Sequence, residues 1–538
     1  MGTPKCINVF LVLAISILGT VCWTTKDGFV DEDVRTECGI TRYPTLCHQT
    51  LAGFGSGIPN VDLLSVLINK TISETKLPGS NFEILSSHFI SPEAQQARMA
   101  MDYCHELMSM SLKRLNQALD ALHKSPENHK MDIQTWLSAA LTFQQTCKDS
   151  VENQAPSNAY TAEIHRKMDY LSQLGSNMLA LANRITGNPK EIKSRTGRRV
   201  FEPESTFPSW VSGPDRKLLL STEITNADAV VAKDGSGNFE TVSEAIQAAT
   251  GRRRFVIYVK SGTYHEKINT NKDGITLIGD GKYSTIISGS SSVAKGSSLP
   301  GSATFTITGD GFIARDIGFQ NTAGPQGQQA VALTVASDQS VFYRCSIAGY
   351  QDTLYALSFR QFYRECDIYG TIDFIFGNAA AVFQSCNLVL RRPGSHGAYN
   401  VILASGRTDP GQNTGFSVQN CKITVGSDFG PVKSSYESYL GRPWKQYSRA
   451  VVMQSKIDGA ISSRGWVEWP GAGASLYRTL YFAEYENVGP GSGVSGRVSW
   501  PGFRVIGTPE ATKFTVGNFI GGDSWLPSTG VTFISGLH

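Results

Sequence analysis

The sequence has 538 residues, too many for one ordinary domain, so we expect at least two. Its hydrophobic content of 41% can form a sizeable core, and its formal net charge of +3 permits a polyanionic partner without requiring one. Because no basic stretch is interleaved with aromatic residues in the manner of an RNA-binding motif, the sequence predicts no nucleic-acid partner.

A basic start and an apolar run mark the N-terminus. Lys5 precedes the apolar residues 7–21, a pattern typical of a secretory signal peptide, or of an uncleaved signal anchor, over residues 1–23. No later stretch is apolar for long enough to cross a bilayer. Passage through the secretory pathway permits disulfides and a glycan, and the sequon at Asn69 is the predicted acceptor.

Residues 31–186 have the spacing of amphipathic helices. The clearest run places apolar residues three or four positions apart, at Ile164, Met168, Leu171, Leu174, Met178, Leu181 and Ile185. Four such segments with short connections predict an all-α four-helix bundle. A pair Cys38–Cys47 would close an N-terminal hairpin, and a pair Cys104–Cys147 would join the second helix to the third. No residue here stands out as catalytic, so the region is interpreted as structural.

Residues 187–219 lose this periodicity and combine prolines with basic residues, which is typical of a linker. The last four residues, Arg216, Lys217, Leu218 and Leu219, form a basic tetrapeptide that we expect to be exposed. We interpret it as a proteolytic processing site, with a solvated basic run as the alternative.

From residue 220 to residue 538 the chain is built mainly of short strand-like segments ended by Gly, Asn or Asp. Residues 345–355 align with residues 366–376 at a constant offset of 21, each copy follows a Phe-Tyr-Arg tripeptide, and a weaker third copy ends at Cys386. A fixed period of this size without intervening helices predicts a right-handed parallel β-helix with one coil per repeat.

The repeat brings chemically reactive residues together. Equivalent positions of successive coils stack about 4.8 Å apart, so Asp352 and Asp373 are expected to lie one above the other, within carboxyl–carboxyl reach. Gln351 precedes Asp352, and Gln329 lies 22 residues before Gln351, which places a second amide on the coil before. Two stacked carboxylates with neighbouring amides form the candidate site.

Five motifs follow one another in this region. They are Gly262-Thr263-Tyr264-His265-Glu266, Gln329-Ala330-Val331-Ala332-Leu333, Gln351-Asp352-Thr353-Leu354, Asp373-Phe374-Ile375-Phe376-Gly377 and Leu440-Gly441-Arg442-Pro443-Trp444. The set resembles the plant pectin methylesterases, or pectinesterases, over nearly all of residues 228–520. The helical part resembles the pectin methylesterase inhibitor family through its four cysteines and helical pattern. This domain order is that of the long precursor form, in which the inhibitor-like part is a pro-region.

The resemblance implies a carboxylic ester hydrolase that releases methanol from methyl-esterified homogalacturonan, without a metal or other cofactor. It implies Asp373 as nucleophile, Asp352 as general acid and later general base, and Gln329 and Gln351 as the amides that hold the oxyanion. It also implies substrate contacts by Gln329, Arg442 and Trp444. At Leu299 the sequence departs from the family, because several members carry a substrate-side Thr near this position.

Further expectations follow from the resemblance. A disulfide between Cys366 and Cys386 occurs in many members. The tetrapeptide at residues 216–219 would be cut by a subtilisin-like protease, and the pro-region would act in autoinhibition or folding. The expected product is a monomeric enzyme secreted to the cell wall, with pectin as substrate and separate proteinaceous inhibitors as possible partners.

Ester hydrolysis needs a nucleophile, a proton donor for the departing alcohol, and hydrogen-bond donors for the oxyanion. The sequence lacks the G-x-S-x-G motif of a serine route. We expect Arg442 to keep Asp373 ionised, because an opposite charge lowers a carboxyl pKa, and we expect that anion to raise the pKa of Asp352. Neutral amides at Gln329 and Gln351 can donate N–H groups to the oxyanion.

Two other functions stay open. The first is a glycosidase or lyase on the same polymer, since a retaining glycosidase would also use carboxyl groups about 5 Å apart. The flanking amides suit an oxyanion better than an oxocarbenium ion, and the sequence shows no calcium-type acidic cluster for a lyase. The second is a wall-binding protein without activity, which would leave the full set of site residues unexplained.

The site residues also have structural interpretations. The aspartates could bond backbone N–H groups in turns, the glutamines could form an amide ladder, Arg442 could be a surface ion pair and Trp444 a core residue. His265 is interpreted as structural. Three aromatic residues line a sugar-binding cleft or pack in the core, namely Tyr350, Phe374 and Trp466. Two cysteines are interpreted as free, buried thiols, namely Cys345 and Cys421.

Overall fold

The computed structural model describes residues 32–52, 60–86, 95–155, 159–186, 227–251, 253–395 and 397–538. The predicted leader and the predicted processing site at residues 216–219 therefore lie outside the described residues, as does the boundary proposed at residue 220. Asn69 lies exposed on a helix. No helix among the described residues combines the length and the apolar character needed to span a bilayer.

The N-terminal part is helical. Its helices are α1 (Glu32–Gly39), α2 (Pro44–Leu51), α3 (Asn60–Ser86), α4 (Gln95–Lys124), α5 (Lys130–Gln154) and α6 (Ala159–Ala182). Around the ring, α3 packs against α4 and α6, and α5 packs against the same two helices. All seven residues of the apolar run predicted for α6 and its C-terminal end are buried. The predicted four-helix bundle is confirmed.

Both predicted disulfides of the bundle are confirmed. Cys38–Cys47 joins α1 to α2, and Cys104–Cys147 joins α4 to α5. The second bond closes a loop with a sequence separation of 43 residues. In the chain-entropy description, a loop of that size stabilises the folded state by about 4 kcal/mol.

The C-terminal part is the predicted parallel β-helix, and every strand pair recorded between its described strands is parallel. The described strands form three sheets. The eleven-stranded sheet contains β1 (Ala229–Val231), β2 (Phe255–Val259), β5 (Ile275–Gly279), β8 (Ile313–Arg315), β11 (Ser340–Tyr343), β14 (Arg360–Arg364), β17 (Ala380–Gln384), β20 (Gly415–Gln419), β23 (Arg449–Met453), β25 (Tyr481–Tyr485) and β26 (Phe503–Val505).

The other two sheets complete each coil. The eight-stranded sheet contains β3 (Gly262–His265), β6 (Thr285–Gly289), β9 (Gly318–Asn321), β12 (Ser346–Ala348), β15 (Asp367–Gly370), β18 (Asn387–Leu390), β21 (Lys422–Val425) and β24 (Lys456–Ile457). The seven-stranded sheet contains β4 (Ile268–Thr270), β7 (Phe305–Ile307), β10 (Leu333–Val335), β13 (Leu354–Ala356), β16 (Ile375–Gly377), β19 (Asn400–Ser405) and β22 (Ser438–Pro443).

Short helices close the ends of the solenoid and one of its faces. They are α7 (Val242–Ala248), α8 (Leu476–Thr479), α9 (Thr508–Thr512), α10 (Val516–Phe519) and α11 (Gly522–Trp525). The last three pack apolar side chains on the outer face of the eleven-stranded sheet, where Phe519 and Trp525 share one cluster with Val382 and Val451. Burying that face keeps a broad apolar surface out of water.

The coil period is 21 residues at the site, but the two Phe-Tyr-Arg tripeptides are not in register. Phe342 pairs with Tyr363, and their rings stack at a centroid distance of 4.9 Å inside the coil. Arg344 and Glu365 occupy equivalent corners between sheets, and both have a left-handed backbone, with φ of 51° and 55°. The second copy therefore has one residue more before its corner.

The disulfide expected between Cys366 and Cys386 is not formed. Both thiols are free and buried, as are Cys345 and Cys421. Cys366 and Cys386 occupy equivalent positions of successive coils, so their side chains point in the same direction and stay about one strand spacing apart. A disulfide needs Cβ atoms that converge to about 3.8 Å. Each thiol instead donates to a backbone carbonyl, that of Phe342 for Cys366 and that of Tyr363 for Cys386.

Candidate active site

The two aspartates lie on successive coils at the start of the seven-stranded sheet. Leu354 pairs with Ile375, two residues beyond Asp352 and Asp373, so the predicted stacking is confirmed. The backbone N–H of Asp352 donates to the carbonyl of Ile372 at 3.0 Å, which fixes the two coils against each other. Both aspartates have left-handed φ, 59° and 50°, a conformation that Asp tolerates better than most residues.

The two glutamines are also in register. Gln329 and Gln351 form a parallel bridge, and the N–H of Ala330 donates to the carbonyl of Gln351 at 3.2 Å. Both side chains are half-buried. Within the part of the chain that the structure describes, neither side-chain amide forms a hydrogen bond, so both N–H groups are available to a ligand. The arrangement differs from an amide ladder, in which each amide would bond to the next.

Arg442 reaches Asp373 from two strands away. Phe376, Ala404 and Arg442 occupy equivalent positions of β16, β19 and β22, and the small side chain of Ala404 leaves room for the guanidinium to extend back over β19. Nε lies 2.8 Å from Oδ1 of Asp373, and Nη2 lies 2.5 Å from Oδ2. This is a buried bidentate pair rather than the alternative of an exposed ion pair, with side-chain exposures of 9% and 7%.

The pKa of both aspartates is raised. For Asp352, burial raises the pKa well above its ordinary range, the charge of Asp373 raises it further, and Arg442 offsets only part. Burial also raises the pKa of Asp373 above its ordinary value, and the bond to Arg442 offsets part of that rise. Arg442 thus lowers the pKa of Asp373, as expected, but desolvation outweighs the ion pair and the net pKa is raised. The expected order of the two pKa values, Asp352 above Asp373, is kept. Asp352 has a neighbouring anion and no bidentate cation, whereas Asp373 has Arg442.

The raised pKa of Asp352 predicts a pH-dependent cost to stability. A group whose pKa is higher in the folded state stabilises most below its unfolded pKa of about 3.9, and that stability is lost as the pH rises through the folded value. The side chain of Asp352→Asn cannot titrate, so the full-length variant should become more stable relative to wild type as the pH rises. We expect the Tm difference, variant minus wild type, to be higher at pH 8 than at pH 4 by about 2 °C or more.

Thermal unfolding followed by circular dichroism at the two pH values measures this difference. Asp120→Asn, an exposed aspartate of α4, is the control and should show the same difference from wild type at both pH values. A Tm difference for Asp352→Asn that does not grow with pH contradicts the assignment.

An aromatic platform continues from the aspartates along the same sheet. Tyr355 stacks on Phe376 at 4.3 Å, and Trp444 contacts Phe376 at 6.1 Å and Trp469 at 6.4 Å between ring centroids. Trp444 is half-buried rather than a core residue, and its ring lies against Gly406, where a Cβ would come within 2.8 Å of it. The guanidinium of Arg442 lies 4.4 Å from the ring of Trp469.

Two of the three aromatic residues considered for a sugar-binding cleft are core residues. Phe374 and Trp466 are fully buried in the coil interior, so their place in a cleft is wrong and the packing alternative holds. The ring of Tyr350 is covered by Arg391 at 3.8 Å. The sequence missed Tyr355, Phe376, Trp469 and Tyr399, the last of which accepts a hydrogen bond from Nη1 of Arg442 at 3.0 Å. The first two could have been found from strand parity, since each follows an inward residue by one position.

The helical bundle covers this platform. Tyr103 of α4 and Thr146, Asp149 and Ser150 of α5 face Gln329, Leu299, Tyr355 and Trp444 across a cavity of about 370 Å³. Leu299, the departure from the family pattern, therefore lines the cavity. Burial of the Tyr103 side chain between α4 and the β-helix raises its pKa. His265, on the eight-stranded sheet, lies away from this surface.

Polar and apolar contacts hold the bundle in place beside the site. Arg114 of α4 is 1% exposed, makes a bidentate pair with Asp310 at 2.6 and 2.8 Å, and lies 4.2 Å above the ring of Phe359. Arg360 joins Asp338 of its own domain and Asp132 of α5, both at 2.7 Å. The rings of Phe143 and Phe359 meet edge to face at 5.7 Å. The contact is thus a continuous buried interface.

Comparisons with known proteins agree with this architecture. Residues 228–523 match the family model described as Pectinesterase, and residues 32–181 match that described as Plant invertase/pectin methylesterase inhibitor. "Probable pectinesterase/pectinesterase inhibitor 54" of Arabidopsis thaliana is 49% identical over 94% of both chains, and "Pectinesterase 2" of Citrus sinensis is 43% identical over 98% of this chain and 99% of its own.

A solved structure matches the β-helix part. "Pectin methylesterase from Carrot" is 51% identical, with a TM-score of 0.57, over 59% of this chain and 100% of its own. The covered share of 59% is about the share that residues 220–538 make up of this chain. On these findings the chain belongs to the pectinesterase family and carries an N-terminal domain of the plant invertase/pectin methylesterase inhibitor type.

Proposed function

We propose that this pectinesterase removes methyl esters from homogalacturonan through a covalent intermediate on Asp373. The observation that carries the proposal is the asymmetry of the stacked pair, in which Asp373 alone has the bidentate Arg442. The cation favours the ionised form of Asp373, and the neighbouring anion favours the protonated form of Asp352. Two carboxyl groups in unlike protonation states supply one nucleophile and one acid.

The proposed reaction has two halves. A carboxylate oxygen of Asp373 attacks the ester carbonyl carbon, and the N–H groups of Gln329 and Gln351 stabilise the oxyanion. Asp352 gives its proton to the methoxy oxygen, methanol leaves, and an anhydride joins Asp373 to the galacturonate. Water then attacks the galacturonate carbonyl carbon while Asp352 accepts a proton, and the Asp373 carboxylate departs.

The experiment that tests this function uses the β-helix part, residues 220–538, on one sample of methyl-esterified pectin. We expect methanol to be released with no new reducing ends. New reducing ends without methanol would favour a glycosidase, and unsaturated ends a lyase. Binding to pectin without either product would favour a wall-binding protein. The unbonded amides support the esterase, because their N–H groups suit an oxyanion.

We also propose that the bundle inhibits the enzyme to which it is joined. Helices α4 and α5 lie over the aromatic platform, and the cavity of about 370 Å³ left beneath them has the size of a small-molecule pocket. A polysaccharide chain must extend beyond both ends of any site that it occupies, so the bundle has to move before pectin can bind. Three further steps remain predictions. They are secretion to the cell wall, cleavage at Arg216–Leu219 by a subtilisin-like protease, and regulation by separate inhibitors.

A further inference from the structure

A groove runs across the outer face of the eight-stranded sheet, on a different side of the coil from the aspartates. Its floor is formed by small side chains of neighbouring strands, Gly318 of β9 and Ser346 and Ala348 of β12. Residues 281–284 lie beside it on the sheet, so close that a Cβ at Gly318 would come within 2.7 Å of the carbonyl oxygen of Lys282. The groove has a volume of about 350 Å³, which is the size of a small-molecule site.

Tyr283 forms one wall of the groove. Its hydroxyl donates a hydrogen bond to the carboxylate of Asp367 and lies 2.8 Å from the hydroxyl of Tyr369. Lys282 neutralises Asp367, with Nζ 2.7 Å from the carboxylate. Tyr283 is nevertheless 58% exposed, and no other aromatic residue among those that the structure describes is as exposed. A ring that is held at its hydroxyl thus presents a fixed apolar face to a ligand.

Two exposed lysines continue the same row of the sheet. Asp367, Asn387, Lys422 and Lys456 occupy equivalent positions of β15, β18, β21 and β24, so Lys422 lies about 10 Å from Asp367 and about 4.8 Å from Lys456 along the sheet. Neither lysine pairs with a carboxylate of any described residue. Like charges directly opposite one another on a sheet are destabilising, and an anion that contacts both lysines removes that cost.

These features define one ligand. A sugar ring can lie against the exposed face of Tyr283, and carboxylates of the same chain can reach the ammonium groups of Lys422 and Lys456. Only a polymer that repeats the ring and the carboxylate spans both. We propose that the groove, Tyr283 and the two lysines form a second binding surface, separate from the cleft, for polygalacturonate, the unesterified form of the pectin chain. The choice of ligand rests on the proposed esterase function, whose product is this polymer.

The bundle leaves the second binding surface open. Its buried ion pairs join Arg114 to Asp310 and Asp132 to Arg360, at the starts of strands of the eleven-stranded sheet. The full-length chain, whose cleft is covered, therefore keeps the second binding surface. A polymer held there brings its esters to the cleft at a raised local concentration once the bundle has left.

The test measures the affinity of the full-length chain for polygalacturonate by isothermal titration calorimetry. We expect binding by wild type and a loss of about 3–10-fold in the double variant Lys422→Gln, Lys456→Gln, the range of two exposed ion pairs. Salt at about 0.5 M should remove this difference, because the lysines are exposed to screening. Tyr283→Ala should lose about 3–5-fold with the apolar face, whereas Tyr283→Phe keeps the ring and should bind nearly as tightly as wild type.

Two controls separate recognition of the sugar from an effect of net charge. The double variant Lys76→Gln, Lys124→Gln removes two exposed lysines of α3 and α4, and it should bind as wild type does. Poly-L-glutamate, which has carboxylates but no sugar rings, should bind more weakly than polygalacturonate. Its affinity should be the same for wild type and Tyr283→Ala.

The outcomes are distinct. If the β-helix part binds polygalacturonate and the folded full-length chain does not, the binding lies in the cleft and the second binding surface is overturned. Wild-type affinity in both the lysine variant and Tyr283→Ala overturns it as well, as does an equal affinity for poly-L-glutamate. A β-helix part that releases no methanol overturns the esterase, while binding by the full-length chain still upholds the second binding surface.

Discussion

Asp373→Asn should abolish methanol release by the β-helix part, with a loss of about 10⁴-fold or more, as for removal of a covalent nucleophile in other enzymes. The substitution keeps the size and one oxygen acceptor of the side chain, so Arg442 retains part of its contact. An amide is a poor nucleophile, and the proposed mechanism contains no other nucleophile in the first step. Methanol release should be measured after circular dichroism has confirmed the native spectrum.

The chain offers a closely matched control for this variant. Asp316 also has a left-handed φ, of 56°, and also makes a bidentate pair with an arginine, Arg344, at 2.7 and 2.5 Å. It lies at a corner beside the eight-stranded sheet rather than in the cleft. Asp316→Asn should therefore keep full activity. A loss of activity in both variants would instead measure the effect of breaking such an ion pair.

The neighbouring variants should follow a definite order. Asp352→Asn keeps the proposed nucleophile but loses the proposed acid and later base, a loss commonly of about 10²–10⁴-fold. Gln351→Ala should lose about 10²–10³-fold, as for one oxyanion donor. If folded Asp373→Asn keeps near-normal turnover, the carboxylate mechanism fails and a nucleophilic water or serine has to be sought.

The second large effect concerns the bundle. The full chain, uncut, should release methanol at least about 10²-fold more slowly than the β-helix part, because α4 and α5 occupy the surface proposed to bind the polysaccharide. The double variant Arg114→Ala, Asp132→Ala should recover much of this activity. It removes the bidentate partner of Asp310, which keeps only Lys113, at 3.9 Å, as a cation, and the partner of Arg360 across the interface. Loss of one partner of a buried pair costs about 3–5 kcal/mol.

The measurement compares the rates of methanol release by the full chain, the double variant and the β-helix part, and it tests whether the bundle inhibits the enzyme. Lys148→Ala is the control, because Lys148 pairs with Asp169 inside the bundle and the variant breaks an ion pair away from the interface. It should stay as inactive as the full chain. Equal activity of the uncut wild-type chain and the β-helix part would falsify the inhibitory role and leave the bundle a role in folding.

Features that repeat along the chain were predictable from the sequence. The 21-residue offset placed Asp352 over Asp373, because each coil of a solenoid contacts only its neighbours and equivalent residues must stack. The same holds for Gln329 and Gln351, and for the apolar run of α6, since helical periodicity marks the buried face wherever the helix lies.

Other features depended on the tertiary structure. The bond from Arg442 to Asp373 spans 69 residues and crosses Ala404, and the raised pKa of Asp373 reflects burial that no local pattern reports. Cys366 and Cys386 matched a family disulfide, but parallel stacking keeps their side chains from converging. The sequence by itself determined the elements and the vertical order of the site, because both follow from local periodicity. Only the tertiary structure decided how Asp149 meets Lys445, because the surfaces of two separately periodic domains become complementary only when they pack together.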